Sequence, residues 1–154
     1  VYNLVKRVFD EFIAPHYSQE GIQEFLKYAQ PESLLQRSEK DHFVLLATAK
    51  ERSVGMIEVR SNRHVSMLFV DKQFQKRGIS KELLRRALGI CLIEKPNLSK
   101  ITVNASPNSV PIYKRVGFHQ VSSERVKKGI RFTPMVLQLS KSKIPKRKKV
   151  RPKE

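Results

Sequence analysis

The stretch Phe69-Val70-Asp71-Lys72-Gln73-Phe74-Gln75-Lys76-Arg77-Gly78-Ile79-Ser80 decides the fold, because a strand, a loop and a helix meet within it. Residues 64–70 alternate as a strand does, and residues 81–93 repeat apolar side chains at helical spacing. The loop between them contains two cations and a glycine. A helix N-terminus presents unpaired N–H groups and the positive end of the helix dipole. The stretch therefore predicts a loop that binds an anion, and a phosphate in particular.

Amphipathic helices precede the strands. From Tyr2 to Ala14 the apolar residues recur every three or four positions, which predicts one helix with a single buried side that Pro15 ends. Ser18 is a suitable N-cap for a second helix that reaches Ala29. We expect one further helical turn at residues 31–37.

Three strands follow and predict an antiparallel meander with turns at residues 50–53 and 60–63. Residues 43–49 are an uninterrupted apolar run, which predicts a strand covered on both faces. The second strand covers residues 54–59 and the third covers residues 64–70. The third strand leads directly into the anion-binding loop.

The remainder of the chain predicts a crossover and a hairpin. Residues 101–103 form a short strand that follows a helix, so the crossover rule predicts parallel pairing with the 64–70 strand. Residues 108–116 predict a short helix that ends at Gly117. Residues 118–126 and 131–139 predict a hairpin around residues 127–129. The element order αα–βββ–α–β–α–ββ indicates an α/β (α+β) fold.

Composition limits the class of protein. The chain has 154 residues, which favours one domain at residues 1–140, followed by a tail. We expect no membrane span and no signal peptide, because no apolar run approaches the ~20 residues that a bilayer requires. The single cysteine, Cys91, lies on an apolar helix face and predicts core packing and a reducing, cytoplasmic setting. Scattered histidines without an acidic or cysteine cluster predict no metal site.

The charge is strongly positive. The net charge is +17, and residues 141–154 hold eight Lys/Arg and one Glu, so the first 140 residues still carry +10. Such a balance favours anionic ligands or partners, among them nucleic acid. Residues 141–154 have too little apolar surface to form a core, which predicts a flexible basic tail with weak, non-specific nucleic-acid contact or a merely solubilising role.

Two motifs carry a family resemblance. Gln75-Lys76-Arg77-Gly78-Ile79-Ser80 resembles the (Gln/Arg)-x-x-Gly-x-(Gly/Ala) signature of the GNAT superfamily of acetyl-CoA-dependent N-acetyltransferases. Residues 108–118, which end in Tyr113-Lys-Arg-Val-Gly-Phe, resemble the second conserved segment of that family, and Leu68-Phe69-Val70 resembles its bulged fourth strand. The resemblance spans about residues 1–139. Ser80 departs from the usual Gly or Ala, but serine is small enough to keep the close backbone approach.

The resemblance implies a mixed, mostly antiparallel sheet of about six strands with four flanking helices, and acetyl-CoA as cosubstrate. It implies that backbone N–H groups of residues 76–80 hold the diphosphate, that the third strand pairs with pantetheine through Leu68 and Val70, and that an N–H near Phe69 faces the thioester carbonyl. Lys81, Arg85 and Arg86 either reach the ribose phosphate or face solvent. The cofactor-binding residues expected from it are Leu68, Phe69, Val70, Gln75, Lys76, Arg77, Gly78, Ile79, Ser80, Asn104 and Asn108. For Asn108, helix capping is an equal alternative.

The resemblance also implies catalytic roles. Tyr113 matches the tyrosine that donates a proton to the departing thiolate of CoA, although packing against Phe118 is an alternative. His64 lies eleven residues before Gln75, where the histone-acetylating branch of the family has a glutamate base. Histidine suits general-base work near neutral pH. Glu58 and a water molecule, which Ser66 could order, are the alternative bases.

The predicted function is transfer of an acetyl group from acetyl-CoA to a primary amine of a small molecule, peptide or protein, by a monomer or homodimer. Two alternatives remain from the sequence. One is a basic protein that associates with nucleic acid or the ribosome. The other is a non-catalytic module that binds acyl-CoA. The sequence contains no motif specific for one acceptor.

Overall fold

A mixed sheet carries the fold in the computed structural model, which describes residues 1–139. The predicted basic tail, residues 141–154, lies outside the described residues, and so the boundary at residue 140 stays a prediction. The sheet has seven strands: β1 (His42–Ala49), β2 (Arg52–Arg60), β3 (His64–Val70), β4 (Lys100–Ala105), β5 (His119–Gln120), β6 (Arg125–Lys127) and β7 (Ile130–Gln138).

Five helices cover the sheet. They are α1 (Tyr2–Phe12), α2 (Gln19–Tyr28), α3 (Pro31–Ser38), α4 (Ile79–Glu94) and α5 (Val110–Arg115). Short 3-10 turns occur at Ala14–His16, Lys72–Phe74 and Pro107–Ser109. The expected fold is confirmed, with one helix and one strand more than predicted. The extra helix is α3, which is eight residues long where the sequence predicted a single further turn.

The strand order is β1-β2-β3-β4-β7-β5, and β6 also pairs with β7. β3 and β4 are parallel, as the crossover rule predicts, with His64 opposite Thr102 and Val65 opposite Val103. The other recorded pairs are antiparallel. The parallel pair therefore lies at the centre of the sheet, beside the loop that enters α4.

Two strand predictions were wrong in detail. β1 lies at the sheet edge and is mostly half-buried, with Leu46 46% exposed, so it is not covered on both faces. The strand predicted at residues 118–126 is divided into β5 and β6, which pair with different parts of β7. Between those parts lies Pro134, which has no N–H to donate to a ladder.

Each face of the sheet has its own apolar core. On one face, α4 and α5 bury a cluster that includes Val65, Leu84, Cys91 and Tyr113. On the other face, α1 and α2 bury a second cluster that includes Phe9 and Phe69. Cys91 is 1% exposed, and burial raises the pKa of its thiol to about 11, which agrees with core packing. In residues 1–139 no helix combines the length and the apolar character that crossing a bilayer requires.

One extra residue in β3 parts the two central strands. Met67 lies opposite Glu58, whereas Val65 lies opposite Val59, so Ser66 is a bulge in β3. A bulge bends its strand and increases the local twist. After Val65 no further β3–β4 pair is recorded in the described chain, and the two strands diverge toward the loop that precedes α4.

The start of α2 packs against the turn of the β6–β7 hairpin. The Ser18 side chain caps α2 by accepting from the Gly21 N–H, and the Ser18 N–H donates to the Gly129 carbonyl at 3.3 Å. A Cβ on Gly129 would clash with Ser18 Oγ and would lie 2.6 Å from the Gly21 nitrogen. This close approach of two backbones fixes α2 over one side of the diverging strands.

We expect Gly129→Ala to destabilise the fold more than Gly78→Ala. Both glycines have left-handed backbone, with φ of +78° and +81°, which costs a residue with a Cβ about 1–2 kcal/mol. Only Gly129 adds the clash with α2, since a Cβ on Gly78 would meet no atom of residues 1–139 within 4 Å. Urea unfolding of the two variants measures the difference. Equal losses would mean that the α2–hairpin contact is not tight in solution.

Candidate active site

A cavity of about 70 Å³ lies where β3 and β4 diverge, which is room for several water molecules. Three groups of residues line it, from the α1–α2 region, from β3 and from the stretch that runs from β4 into α5. They are Ile13, Tyr17 and Phe25; Ser66, Met67, Leu68 and Phe69; and Val103, Asn104, Ala105, Ser106, Ser109 and Tyr113. Leu68 and Phe69 of the bulged strand and Tyr113 of the second motif therefore line one space, whereas residues 75–80 do not line it.

The ladder with β2 decides which β3 backbone groups face this space. Asp71 donates its N–H to the Val54 carbonyl directly opposite, at 2.8 Å. Because hydrogen-bonded residues alternate along an antiparallel ladder, Phe69 also faces β2, whereas Leu68 and Val70 face away from it. The Val70 carbonyl accepts from Gln75 Nε2 at 2.9 Å, which agrees with this orientation. The Phe69 N–H points toward Met56, so the N–H expected near Phe69 belongs to Leu68 or Val70. Of these two residues only Leu68 lines the cavity, which favours Leu68.

The loop before α4 has the geometry of an anion site. Gly78 is the N-cap of α4 in a left-handed conformation, and Lys76 before it also has positive φ, at 65°. No side chain of the described residues caps α4, so the N–H groups of its first turn, from Ile79 and Ser80 onward, remain free for a ligand. The open space above Gly78 is one that a Cβ would fill. These features fit a diphosphate held by backbone donors.

The cations around this loop differ in whether they form ion pairs with acidic side chains. Lys76 and Arg77 are exposed, and the Arg77 guanidinium lies 5.0 Å from the centre of the Phe74 ring. Arg85 and Arg86 both donate to Glu82 at 2.6 Å on the exposed face of α4. Their hydrogen bonds lower the pKa of Glu82 to about 2. Of the two alternatives for Arg85 and Arg86, this favours a solvent-facing ion-pair cluster.

Tyr113 on α5 lines the cavity from the α4 side of the sheet. It is 5% exposed, and its ring packs edge-on against Phe118 with the ring centres 5.2 Å apart. Packing and a catalytic role are therefore compatible. Burial raises the pKa of the Tyr113 hydroxyl, since a phenolate would be poorly solvated there. The hydroxyl consequently remains a proton donor throughout the physiological range.

The two predicted asparagines lie in different settings. Asn104 is exposed at the end of β4 and lines the cavity. Asn108 does not line it, and its Oδ1 accepts from Ser106 Oγ at 2.9 Å. Ser106 also lies 2.7 Å from Ser109 Oγ. The N-cap of α5 is Ser109, without a side-chain cap, so the structure does not support capping of α5 by Asn108.

His64 lies apart from the cavity. Its Nδ1 is 2.7 Å from Thr102 Oγ1, at the first of the two paired positions of β3 and β4. Burial lowers the pKa of His64 to about 4, with Arg60, Arg63 and His42 adding to the effect. A general base works best when its pKa is near the operating pH. His64 is therefore neutral at pH 7 but a weak proton acceptor.

Glu58, the alternative base, is engaged in a buried cluster. It is fully buried, and Arg37 from α3 donates to both of its oxygens, at 2.8 and 3.1 Å. The Tyr28 hydroxyl donates to it at 3.4 Å, and Arg37 also lies over the Tyr28 ring at 3.5 Å. Glu58 does not line the cavity. Its carboxylate therefore ties α3 and α2 to the sheet.

Sequence reasoning missed the residues that line the cavity from the first two helices. Ile13 and Phe25 follow the helical apolar spacing, which by itself predicts core packing, and Tyr17 lies in the break between the two helices. Tyr17 follows the helix-ending Pro15, and burial raises the pKa of its hydroxyl to about 12. The sequence does show a break between the first two amphipathic helices. Residues at such a break lie at the ends of both helices, where they can contact the sheet. Ser106 and Ser109 flank the predicted Asn108 and were missed as well.

The described residues contain no group of three or more His, Cys, Asp or Glu that is arranged to hold a metal ion. The cavity offers backbone groups of β3 and hydroxyl groups, and the uncapped α4 N-terminus follows it along the chain. Backbone donors at a helix N-terminus suit a phosphate.

Comparisons with known proteins agree with this geometry. The family described as acetyltransferase (GNAT) domain matches residues 13–139. A protein of Escherichia coli (strain K12), described as uncharacterized N-acetyltransferase YafP, is 33% identical over 91 residues, which is 58% of this chain and 55% of that protein. The chain thus spans about half the length of this curated relative.

Two solved structures resemble the fold over nearly all of their length. A GCN5-related N-acetyltransferase from Rhodopseudomonas palustris has a TM-score of 0.75 at 20% identity, covering 90% of this chain and 87% of that chain. The PaiA N-acetyltransferase from Thermoplasma acidophilum, solved in complex with coenzyme A, has a TM-score of 0.72 at 22% identity, covering 90% of each chain. Both likenesses support the fold.

We expect Arg37→Met to cost about 3–5 kcal/mol of unfolding free energy, because it leaves the buried Glu58 carboxylate without a cation. The double variant with Glu58→Gln should lose less, since the uncompensated charge is gone. Arg85→Met is the matched control, and loss of its exposed pair with Glu82 should cost far less, because solvent screens an exposed ion pair. Chemical denaturation measures all three. A loss for Arg37→Met as small as the control would show that the cluster carries little stability.

The neutral, partly buried His64 should make stability depend on pH. Its folded pKa of about 4 lies below the ordinary 6.5, so the unfolded chain binds more protons, and stability is lost as pH falls from 6.5 toward 4. Solvent contact reduces the full effect to roughly 1–2 kcal/mol. His64→Asn, which can keep the bond to Thr102, should flatten this part of the curve, and His119→Asn at the surface is the control. An unchanged slope in His64→Asn would refute this account.

Proposed function

Because the chain belongs to the GNAT family of acetyltransferases, we propose that it transfers an acetyl group from acetyl-CoA to a primary amine at the cavity between β3 and β4. The observation that carries the proposal is the convergence of Leu68 and Tyr113 on one cavity. The uncapped N-terminus of α4, which follows β3 in the chain, adds backbone donors for an anion. The two motifs are far apart in sequence, and the Ser66 bulge opens the space between them.

In the proposed complex, β3 and α4 hold the coenzyme. Backbone N–H groups of residues 76–80 bind the diphosphate, where Gly78 leaves room and Lys76 and Arg77 add positive charge. Leu68 and Val70 present the β3 backbone to the pantetheine arm as a neighbouring strand would, and Asn104 on β4 faces the same cleft from the other side. Gln75 acts indirectly, because its side chain holds the Val70 carbonyl.

The proposed chemistry is direct transfer. The neutral amine attacks the thioester carbonyl carbon, the C–N bond forms, and the C–S bond breaks to release CoA. The Leu68 N–H donates to the oxygen that becomes negative in the transition state. Tyr113 supplies the proton that the departing thiolate needs. Removing one hydrogen-bond donor to the oxyanion in known enzymes lowers the rate by a factor of about 10²–10³.

The proposed base is water, in place of His64 or Glu58. An alkylamine with a pKa near 10.4 is neutral in only about one molecule in 2,500 at pH 7, equivalent to roughly 4–5 kcal/mol. His64 lies outside the cavity lining with a lowered pKa, and Glu58 is held by Arg37. We therefore assign proton removal to water in the cavity, with the Ser66 hydroxyl as a hydrogen-bonding partner. His64 has a supporting role at the β3–β4 junction.

We expect Tyr113→Phe to lower kcat by roughly 10²–10³ while acetyl-CoA binding stays within about twofold of wild type, because the hydroxyl acts on the leaving thiolate. Free-CoA release with an amine panel measures kcat, and calorimetry measures binding. Tyr2→Phe, at the start of α1, is the matched control and should be unaffected. Binding without turnover in wild type would instead indicate the non-catalytic acyl-CoA module, and absence of binding at millimolar acetyl-CoA would refute both.

A further inference from the structure

The α1–α2 side of the cavity is an apolar, largely aromatic wall. Ile13, Tyr17, Phe25, Met67 and Phe69 form it. The Phe25 ring lies 5.9 Å from the Phe69 ring and stacks on Phe9 from the first helix with a separation of 4.2 Å between ring centres. This packing fixes the wall in place. Tyr17 and Phe25 remain only half-buried, so part of their apolar surface is left for another molecule to cover.

The wall contains no charged side chain. Within residues 1–139, the polar lining consists of hydroxyls and one amide, from Tyr17, Ser66, Asn104, Ser106, Ser109 and Tyr113. The buried carboxylate on the same face of the sheet, Glu58, is already neutralised by Arg37. An acceptor with a second positive charge would have to bury that charge here without a carboxylate, which is costly.

The positive charge of the protein also disfavours acceptors with more than one positive charge. The chain carries +17 overall, and most cations of the β6–β7 hairpin have no acidic partner in the described residues. Glu124, which is part of that hairpin region, is held by Arg131 at 2.7 Å. A positive field lowers the local concentration of polycations and so slows their encounter with the cavity.

We propose that the acceptor is an apolar monoamine: a primary amine on an alkyl or aryl group, with no second cation. The amine nitrogen enters the space beside Leu68 and Tyr113, and the hydrocarbon group covers Tyr17 and Phe25. The inference rests on the proposed acetyl transfer, and it excludes polyamines and other polycations as preferred acceptors. The same wall would contact the hydrocarbon group of the acetylated product.

Product binding tests the inference separately from catalysis. Calorimetry in the presence of saturating CoA compares N-(2-phenylethyl)acetamide with N1-acetylspermidine, the products of an apolar monoamine and a polyamine. We expect the phenylethyl product to bind at least tenfold more tightly at physiological salt. Equal binding, or tighter binding of acetylspermidine, would overturn the inference. Turnover of 2-phenylethylamine and spermidine is measured in parallel, so selective product binding without any turnover would contradict only the proposed transfer.

A charge inserted into the cavity gives an independent check. Asn104→Asp is nearly isosteric, affects an exposed residue and places a carboxylate at the cavity lining. It should shift the binding ratio at least fivefold toward N1-acetylspermidine. Asn97→Asp, in the exposed turn after α4, adds the same charge elsewhere and should leave the ratio unchanged. An equal shift in both variants would mean that general charge, not the uncharged cavity, sets the preference, and no shift in either would remove this cavity as the acceptor site.

Discussion

The bulge at Ser66 is the constraint on which the candidate site depends. One additional residue in β3 changes its register against β2, and pairing with β4 ends at Val65. A regular parallel pair would occupy the β4-facing backbone groups of Leu68 and Val70 with ladder hydrogen bonds. The divergence leaves Leu68 at the cavity, whereas the Val70 carbonyl is held by Gln75. Residues 71–78 connect the end of β3 to the start of α4. In the proposed complex, the strand edge and the α4 N-terminus bind different parts of the same coenzyme.

The two faces of the sheet contribute different parts of the candidate site. On the α4 face, Tyr113 is packed against Phe118 and positioned from α5. On the α1–α2 face, Phe25 packs on Phe9 within the apolar wall. The ion pair of Arg37 with Glu58 holds α3 on the same face. A buried ion pair contributes little net stability but is costly to break. We interpret the Arg37 cluster as a connection that keeps α3 and α2 at a fixed distance from the sheet.

The sequence predicted the fold well because its strongest signals are local. Helical spacing, the turns at 50–53 and 60–63, and the crossover to residues 101–103 predicted most elements and the parallel pair. The edge position of β1 and the division of β5 from β6 were missed, since burial and pairing depend on neighbours distant in sequence. The Gly78 loop was identifiable for the same local reason. The apolar wall at Tyr17 and Phe25 was not, because it exists only after α2 has packed on the hairpin at Gly129.

Desolvation has opposite consequences for the two residues first considered catalytic. It raises the pKa of Tyr113 and lowers that of His64, so that both are neutral at pH 7. For Tyr113 this keeps the proton on the hydroxyl and makes it a weaker acid, whereas for His64 it lowers the affinity for a proton. A cavity whose described lining is free of charge can therefore stabilise the proposed transition state through dipoles of the Leu68 N–H and the Tyr113 hydroxyl. In such a site the charge of the acceptor matters, because the uncharged lining offers no carboxylate to a second cation.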